Sequence, residues 1–186
     1  MRIPALLTLV AALFASCHES ERSISVSETR ELTLFDQKYP GNIKDYPPLT
    51  WRRIHGTEMR IVNYLAGPED SVEIFMGISQ GGVLPNSNRW LGQFGKDPAA
   101  DLTAFTEIQV LGREAYLVEA SGDLAAGMGN PAKPDQGLIG FVRKSGEDVI
   151  TLKMTGPAAD VTAQKEAFLA YATSLEFVDL HIIPAP

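Results

Sequence analysis

A two-residue alternation of apolar side chains in short runs is the feature that most limits the fold of this 186-residue chain. The runs that we predict as strands are residues 49–54, 59–65, 72–78, 108–110, 115–120, 138–143 and 148–154. Turn residues predict three hairpins, which join 49–54 to 59–65, 108–110 to 115–120, and 138–143 to 148–154. Several runs are apolar on both faces, as Phe75, Tyr116 and Phe141 show, whereas a sheet with one solvated face would be polar there. We therefore expect a mainly antiparallel sheet that is covered by helices, at least partly, on both sides.

Two stretches have apolar residues at helical spacing. The first predicted helix begins at residues 86–88, which offer N-cap side chains, and ends at Gly95. The second has Pro157 in its first turn and runs to about Leu175. Between them, residues 122–137 are rich in Gly and Pro and are predicted to form a long surface loop. The predicted fold class is α+β, an antiparallel sheet built from hairpins and flanked by a short helix and a C-terminal helix.

The N-terminal segment resembles the export signal of bacterial lipoproteins. Arg2 precedes an uncharged run from Ile3 to Phe14, which is shorter than the roughly 20 apolar residues that span a bilayer. The run ends in LFASC, which resembles the lipobox in which small residues precede a lipidated cysteine, although Phe14 replaces the usual Leu. The resemblance implies a signal peptide at 1–16 and a lipid on Cys17. An ordinary secretory signal with an incidental cysteine, or a cytoplasmic hydrophobic helix, are the alternatives.

The rest of the chain divides into three parts. Residues 17–45 are predicted to hold the lipidated cysteine and a flexible, serine-rich linker. Residues 46–180 form a single globular α+β domain, and residues 181–186 form a tail. The resemblance to lipoproteins implies an envelope protein anchored to a membrane by its lipid and facing the periplasm. Because His18 rather than Asp follows the cysteine, the outer membrane is favoured in a Gram-negative host.

Charge and composition weigh against several functions. The formal net charge of −7 disfavours binding to nucleic acid. One cysteine permits no intramolecular disulfide, and three histidines far apart in the sequence disfavour a histidine cluster. The glycines at 81–82 and 127–129 match neither a P-loop nor a dinucleotide-binding fingerprint. We therefore predict no catalytic residue, no metal site and no cofactor.

Two stretches resemble an uncharacterised family of envelope lipoproteins from planctomycete-type bacteria. They are NRWLGQFG at residues 88–95 and KMTGP at residues 153–157, which is followed by Gln164, Lys165 and the run 168–177. The order of hairpin, short helix, second hairpin and C-terminal helix resembles the PsbP-like domains. These include the extrinsic subunit of photosystem II, a Ran-binding protein of eukaryotes and bacterial envelope lipoproteins. The resemblance implies an α/β/α sandwich that acts as a binding or assembly module.

The first of these stretches contains the most informative polar residues. Arg89 and Gln93 are four residues apart and share one face of the predicted helix, beside Trp90. They form either a recognition face next to an aromatic anchor, or a structural set with Trp90 in the core and polar groups bonded to loop carbonyls. Lys153 lies on the polar side of its strand and faces either this region or solvent. The candidate binding face consists of Arg89, Trp90, Gln93 and Lys153.

These observations leave three hypotheses about function. The leading one is a non-catalytic envelope lipoprotein that binds or assembles with an envelope protein or a small ligand. The alternative is an envelope hydrolase that uses Ser or carboxylate groups in a groove near the helix of Trp90. The third is a structural envelope protein without a specific ligand. The sequence shows no catalytic set, which favours a binding module over an enzyme.

Overall fold

The computed structural model describes residues 42–55, 60–125 and 131–178. The strands are β1 (Asn42–Lys44), β2 (Arg52–Arg53), β3 (Arg60–Ala66), β4 (Val72–Gln80), β5 (Thr106–Val110), β6 (Arg113–Leu124), β7 (Lys133–Ser145), β8 (Asp148–Pro157) and β9 (Glu176–Val178). The helices are α1 (Val83–Gly92) and α2 (Ala158–Ser174), and Pro68–Asp70 and Leu102–Ala104 form 3₁₀ turns.

Seven strands form one antiparallel sheet in the order β2-β3-β4-β8-β7-β6-β5, and β1 pairs with β9 in a separate two-stranded sheet. The long hairpins β3–β4, β6–β7 and β7–β8 supply most of the pairing. Helix α1 packs on one face of the seven-stranded sheet and α2 on the other. The predicted α+β class, with hairpins flanked by two helices, is confirmed.

Alternation along β7 explains why the strands looked apolar on both faces. Leu138 and Val142 point towards α1 and join the core beneath it, together with Trp90 and Phe94. The neighbouring residues Ile139 and Phe141 point the opposite way, into the core beneath α2. Each face of the central strands is therefore buried against a helix, and each needs apolar side chains.

Helix α1 begins earlier than we predicted. Its first residue is Val83, and Asn86 lies inside the helix rather than at its N-cap. Gly81, with φ of 89°, turns the chain out of β4, and the extended Gly82 takes the N-cap position. Pro85 fits because the first N–H groups of a helix have no intrahelical acceptor. Asn86 instead donates from Nδ2 to the carbonyl oxygens of Gln80 and Gly82, at 3.0 Å each.

The predicted surface loop at residues 122–137 is wrong at both ends. Strand β6 runs to Leu124 and β7 begins at Lys133, so the hairpin is longer than the composition indicated. Gly122 pairs with Gln136 across a register shift, where a strand tolerates residues that usually mark turns. Residues 126–130 lie outside the described part.

The domain begins earlier than the predicted boundary at residue 46. Strand β1 pairs with β9, Ile43 is 2% exposed, and Asp45 is buried. Asp45 Oδ2 accepts hydrogen bonds from the hydroxyl groups of Tyr64 and, at 3.0 Å, Tyr171. These contacts place residues 42–45 in the fold rather than in a linker. The predicted signal peptide, Cys17 and the 181–186 tail lie outside the described residues.

Strand β2 is shorter than the strand predicted at residues 49–54. Of the run 49–54, only Arg52 and Arg53 pair with β3. Leu49 is exposed in a turn that the hydrogen bond from Trp51 N to Pro48 O closes at 2.9 Å. The consecutive prolines keep the chain out of the ladder until residue 52, because proline has no N–H to donate.

Candidate binding site

Trp90 is the apolar centre of the region around α1. It is 3% exposed and lies in the core between the helix and the sheet, as the structural interpretation of this residue expected. Gly140 of β7 provides the space for the indole. A Cβ on Gly140 would lie 2.5 Å from Trp90 Cζ3 and 2.9 Å from the carbonyl oxygen of Leu152. The indole therefore rests directly on the backbone of the sheet.

Lys153 on β8 faces this region and not solvent. It is 9% exposed, and its Nζ donates to Gln93 Oε1 at 2.9 Å and lies 5.5 Å from the centre of the Trp90 ring. Burial, followed by the positive charges of Arg89 and Arg60, lowers the pKa of Lys153 to about 8. The hydrogen-bond acceptor of this buried ammonium is thus a neutral amide.

Asn86, Arg89 and Gln93 lie along one stripe of α1 at spacings of three and four residues. Arg89 is exposed, and its Nη2 donates to Asn86 Oδ1 at 2.9 Å. Gln93, the first residue after α1, holds Lys153 through its side chain. The structural interpretation expected Arg89 and Gln93 to bond to loop carbonyls, whereas both side chains bond to other side chains.

The stem of the glycine-rich hairpin also touches this stripe. The N–H of Ala125 donates to the carbonyl oxygen of Gln93 at 2.8 Å, just beyond the end of β6. Both ends of the polar stripe are therefore fixed, at Asn86 by the end of β4 and at Gln93 by the end of β6. The side chains that it presents are held on rigid backbone.

The sheet adds four residues that the sequence did not assign to this site. Arg60 on β3 forms an ion pair with Glu73 on β4, and its guanidinium lies 4.2 Å from the centre of the Phe75 ring. Phe75 is the cross-strand neighbour of Lys153. Asn63, the neighbour of Phe75 on the other side, has a buried Oδ1 without a hydrogen-bond partner. The side of the sheet that packs against α1 thus carries polar side chains next to the helix.

These side chains form a local excess of positive charge. Arg60, Arg89 and Lys153 are three cations, and Glu73 is the carboxylate whose charge acts on Lys153. The chain as a whole carries a formal net charge of −7. We call Arg60, Arg89, Gln93 and Lys153, with Trp90 beneath them, the α1 face. The net charge of the α1 face is therefore opposite in sign to the net charge of the whole protein.

The lowered pKa of Lys153 makes stability depend on pH in a specific direction. Below pH 8 the lysine is charged in both states, so the folded protein carries the full cost of burying it. Above that pH the folded state releases the proton first, and the unfolded state binds more protons until about pH 10.5. Stability therefore rises with pH in this window.

Lys153→Met removes this titration. We expect the free energy of unfolding of the wild-type protein to rise relative to that of the variant by about 2 kcal/mol between pH 7 and 9.5. Urea denaturation of both proteins at several pH values measures the difference, and other titrating groups cancel in the comparison. A constant or falling difference would contradict a buried, charged Lys153.

A groove of about 590 Å³ lies on the other side of α1. Its lining includes Leu91, Lys96, Glu119, Ser121 and Lys165. The carboxylate of Glu119 is paired with Lys165 Nζ at 2.7 Å. Within the helix, Ser87 is fully buried. Glu119 is bound to a cation and the hydroxyl of Ser87 is buried, so these two groups are not arranged as the base and nucleophile of the hydrolase alternative.

The described ranges also bear on metal binding and on membrane insertion. Among residues 42–55, 60–125 and 131–178, no group of three His, Cys, Asp or Glu side chains is placed to hold a metal ion. No helix in those ranges has both the length and the apolar character needed to cross a bilayer.

The fold and the α1 face together define an α+β domain with a sheet between two helices and a cationic stripe beside one of them. No family model and no curated protein matches the sequence. Similar solved structures include LpqN, which is involved in cell envelope biogenesis of Mycobacterium tuberculosis. It is 13% identical over 78% of this chain and 90% of LpqN, with a TM-score of 0.51. This similarity shows a shared fold.

Two other solved structures match less well. The PsbP protein of Synechocystis sp. PCC 6803 is 14% identical over 79% of this chain and 99% of that protein, with a TM-score of 0.45. A protein from Bacteroides thetaiotaomicron VPI-5482 is 8% identical over 75% of this chain, with a TM-score of 0.44. This chain covers 46% of the Bacteroides protein. The resemblance to planctomycete-type lipoproteins stays a prediction, because no family model matches.

Proposed function

We propose that this protein is a non-catalytic binding module of the bacterial cell envelope. In this proposal Cys17 carries a lipid that holds the domain at a membrane, facing the periplasm, with the outer membrane favoured in a Gram-negative host. The lipobox-like LFASC run supports the anchor. LpqN, which shares the fold, is involved in cell envelope biogenesis, and that role is compatible with an envelope location here.

The observation that carries the binding function is the environment of Lys153. A buried ammonium costs free energy unless it is compensated, and proteins usually pair it with a carboxylate. Here its hydrogen bond goes to the Gln93 amide at 2.9 Å, while Arg89 and Arg60 add charge of the same sign. A bound ligand with negative charge would relieve both costs. We therefore place ligand binding on the α1 face.

The rigidity of the α1 face supports the same proposal. Asn86 fixes the start of the helix through two hydrogen bonds, and Ala125 fixes its end at Gln93. A backbone held in this way loses little conformational entropy when a ligand binds. Such a face suits recognition, and it requires no movement of the domain.

Anchoring is tested by replacing Cys17 with serine. We expect the Cys17→Ser protein to be exported and to move from the membrane fraction to the soluble envelope fraction, because the acyl chains supply the membrane affinity. Ser25→Ala, in the predicted linker, is the control and should stay with the membrane. A Cys17→Ser protein that still sediments with membranes would contradict the lipid anchor.

Binding is tested by affinity capture from detergent-solubilised envelopes of the native host. We expect the wild-type protein to enrich one defined component, and Arg89→Ala and Gln93→Ala to lose it. Lys96→Ala, an exposed lysine on the other side of α1, should keep it. Equal recovery by all four proteins would show that the α1 face is not the binding surface.

A further inference from the structure

The charges of the α1 face do not balance within the described part of the chain. Arg60 is paired with Glu73, whose charge also acts on Lys153, so three cations of that face share one carboxylate among these residues. Lys153 is protonated at neutral pH, because its pKa is about 8. The net charge of the cluster is therefore that of two cations, concentrated beside a buried aromatic ring.

Among the described residues, the cations of this face make fewer hydrogen bonds than they have donors. An ammonium has three donors, and the structure shows one bond from Lys153, to Gln93. A guanidinium has five N–H groups, and the structure shows one bond from Arg89, to Asn86. Arg89 is exposed and presents the rest of its fork to a ligand. Tetrahedral and planar oxyanions are the acceptors that match such a fork.

The surroundings strengthen the attraction for an anion. Trp90 lies beneath Lys153, and Phe75 lies beside it, beneath Arg60. These rings exclude water from one side of the cluster, so charges interact more strongly there than on an open surface. The Phe75 ring also contacts the Arg60 guanidinium, whose carbon lies 4.2 Å from the ring centre.

We propose that Arg89, Lys153 and Arg60 form a binding site for the dianion of a phosphate or phosphomonoester group. A phosphomonoester carries close to two negative charges near pH 7 and three acceptor oxygens, which match the net charge of the cluster and its donors. A single carboxylate would leave one cation unbalanced. The inference rests on the proposed function and names the chemistry that the α1 face recognises.

The phosphate group is either free or part of a larger envelope molecule. Three soluble probes distinguish the sources: inorganic phosphate, glucose 6-phosphate, and dihexanoyl phosphatidic acid below its micelle concentration. Calorimetric titration of the detergent-solubilised full-length protein measures each affinity at pH 7. We expect at least one phosphate probe to bind at least tenfold more tightly than acetate, and the probe with the highest affinity identifies the source.

Variants assign the binding to the α1 face. Arg89→Ala should weaken phosphate binding at least tenfold, and because the residue is exposed, the variant should retain the wild-type unfolding midpoint. Lys153→Met removes the buried ammonium and should also weaken phosphate binding. Arg113→Ala removes an exposed arginine that is not part of the α1 face, at the β5–β6 turn, and should bind like the wild-type protein. Arg89→Ala with unchanged phosphate affinity, or acetate binding as tightly as phosphate, would overturn the inference.

The pH dependence provides a second readout. The charged groups that face Lys153 are Arg89 on α1, Arg60 on β3 and Glu73 on β4. Because Lys153 loses its charge above pH 8, the affinity for glucose 6-phosphate, which is already a dianion there, should fall by several-fold in the wild-type protein and stay flat in Lys153→Met. If no phosphate probe binds while envelope capture still depends on Arg89, the dianion inference fails and the proposed function stands.

Discussion

Replacing Gly140 with alanine should lower the free energy of unfolding by about 3 kcal/mol and change the fluorescence of Trp90. The new methyl group would meet the indole at 2.5 Å and the carbonyl oxygen of Leu152 at 2.9 Å. The carbonyl belongs to the neighbouring strand and cannot move without breaking the ladder, so the helix must shift outwards. Urea denaturation followed by tryptophan fluorescence measures both effects.

Gly92→Ala is the matched control. This glycine is the last residue of α1, and no atom lies within 4 Å of a Cβ built there. Alanine should be neutral or should stabilise the protein by up to about 1 kcal/mol, because it favours the helical conformation. A Gly140→Ala protein as stable as the wild type would contradict the close approach of Trp90 to β7.

Replacing Asp45 with alanine should cost about 2–4 kcal/mol of stability. The carboxylate accepts hydrogen bonds from the hydroxyl groups of Tyr64 and Tyr171, which are both almost fully buried. Burial, followed by the charge of Asp45, raises the pKa of Tyr171, so its hydroxyl keeps its proton and needs an acceptor. Without Asp45, the two hydroxyl groups lose this acceptor away from water.

A combined variant separates this cause from simple loss of packing. Tyr64→Phe with Tyr171→Phe, added to Asp45→Ala, removes the two hydroxyl groups that have lost the Asp45 carboxylate and keeps the rings. The rings contact each other and Trp51, with centroids 5.1 to 5.9 Å apart. We expect the triple variant to recover at least about 1 kcal/mol over Asp45→Ala. No recovery would show that the hydroxyl groups are not the source of the cost.

The hairpins and the long helix could be predicted because their signals are local. Two-residue alternation with turn residues between the runs gave the pairs β5–β6 and β7–β8. Pro157 and the apolar spacing after it gave α2 within one residue at each end. The start of α1 was missed because Asn86 has a cap-forming side chain that the fold uses from inside the helix.

The α1 face was predicted only on its helical side. Arg89 and Gln93 are four residues apart and share one face of a predicted helix. Lys153 was included because it lies on the polar side of its predicted strand. Arg60, Glu73 and Phe75 belong to the site only because β3, β4 and β8 pair in one register, which joins Phe75 to a residue 78 positions later. Register between distant strands depends on the whole sheet, and a local pattern does not contain it.

The pairing of β1 with β9 determines where the domain bears a mechanical load. In the proposed envelope location, a pull on the lipidated end reaches the described part of the fold at Asn42. The force then acts on a three-residue ladder and on the hydrogen bonds of Asp45, beside α2. The α1 face lies across the sheet from these contacts. The contacts near Asn42 can therefore deform under load while the α1 face, the proposed recognition surface, keeps its shape.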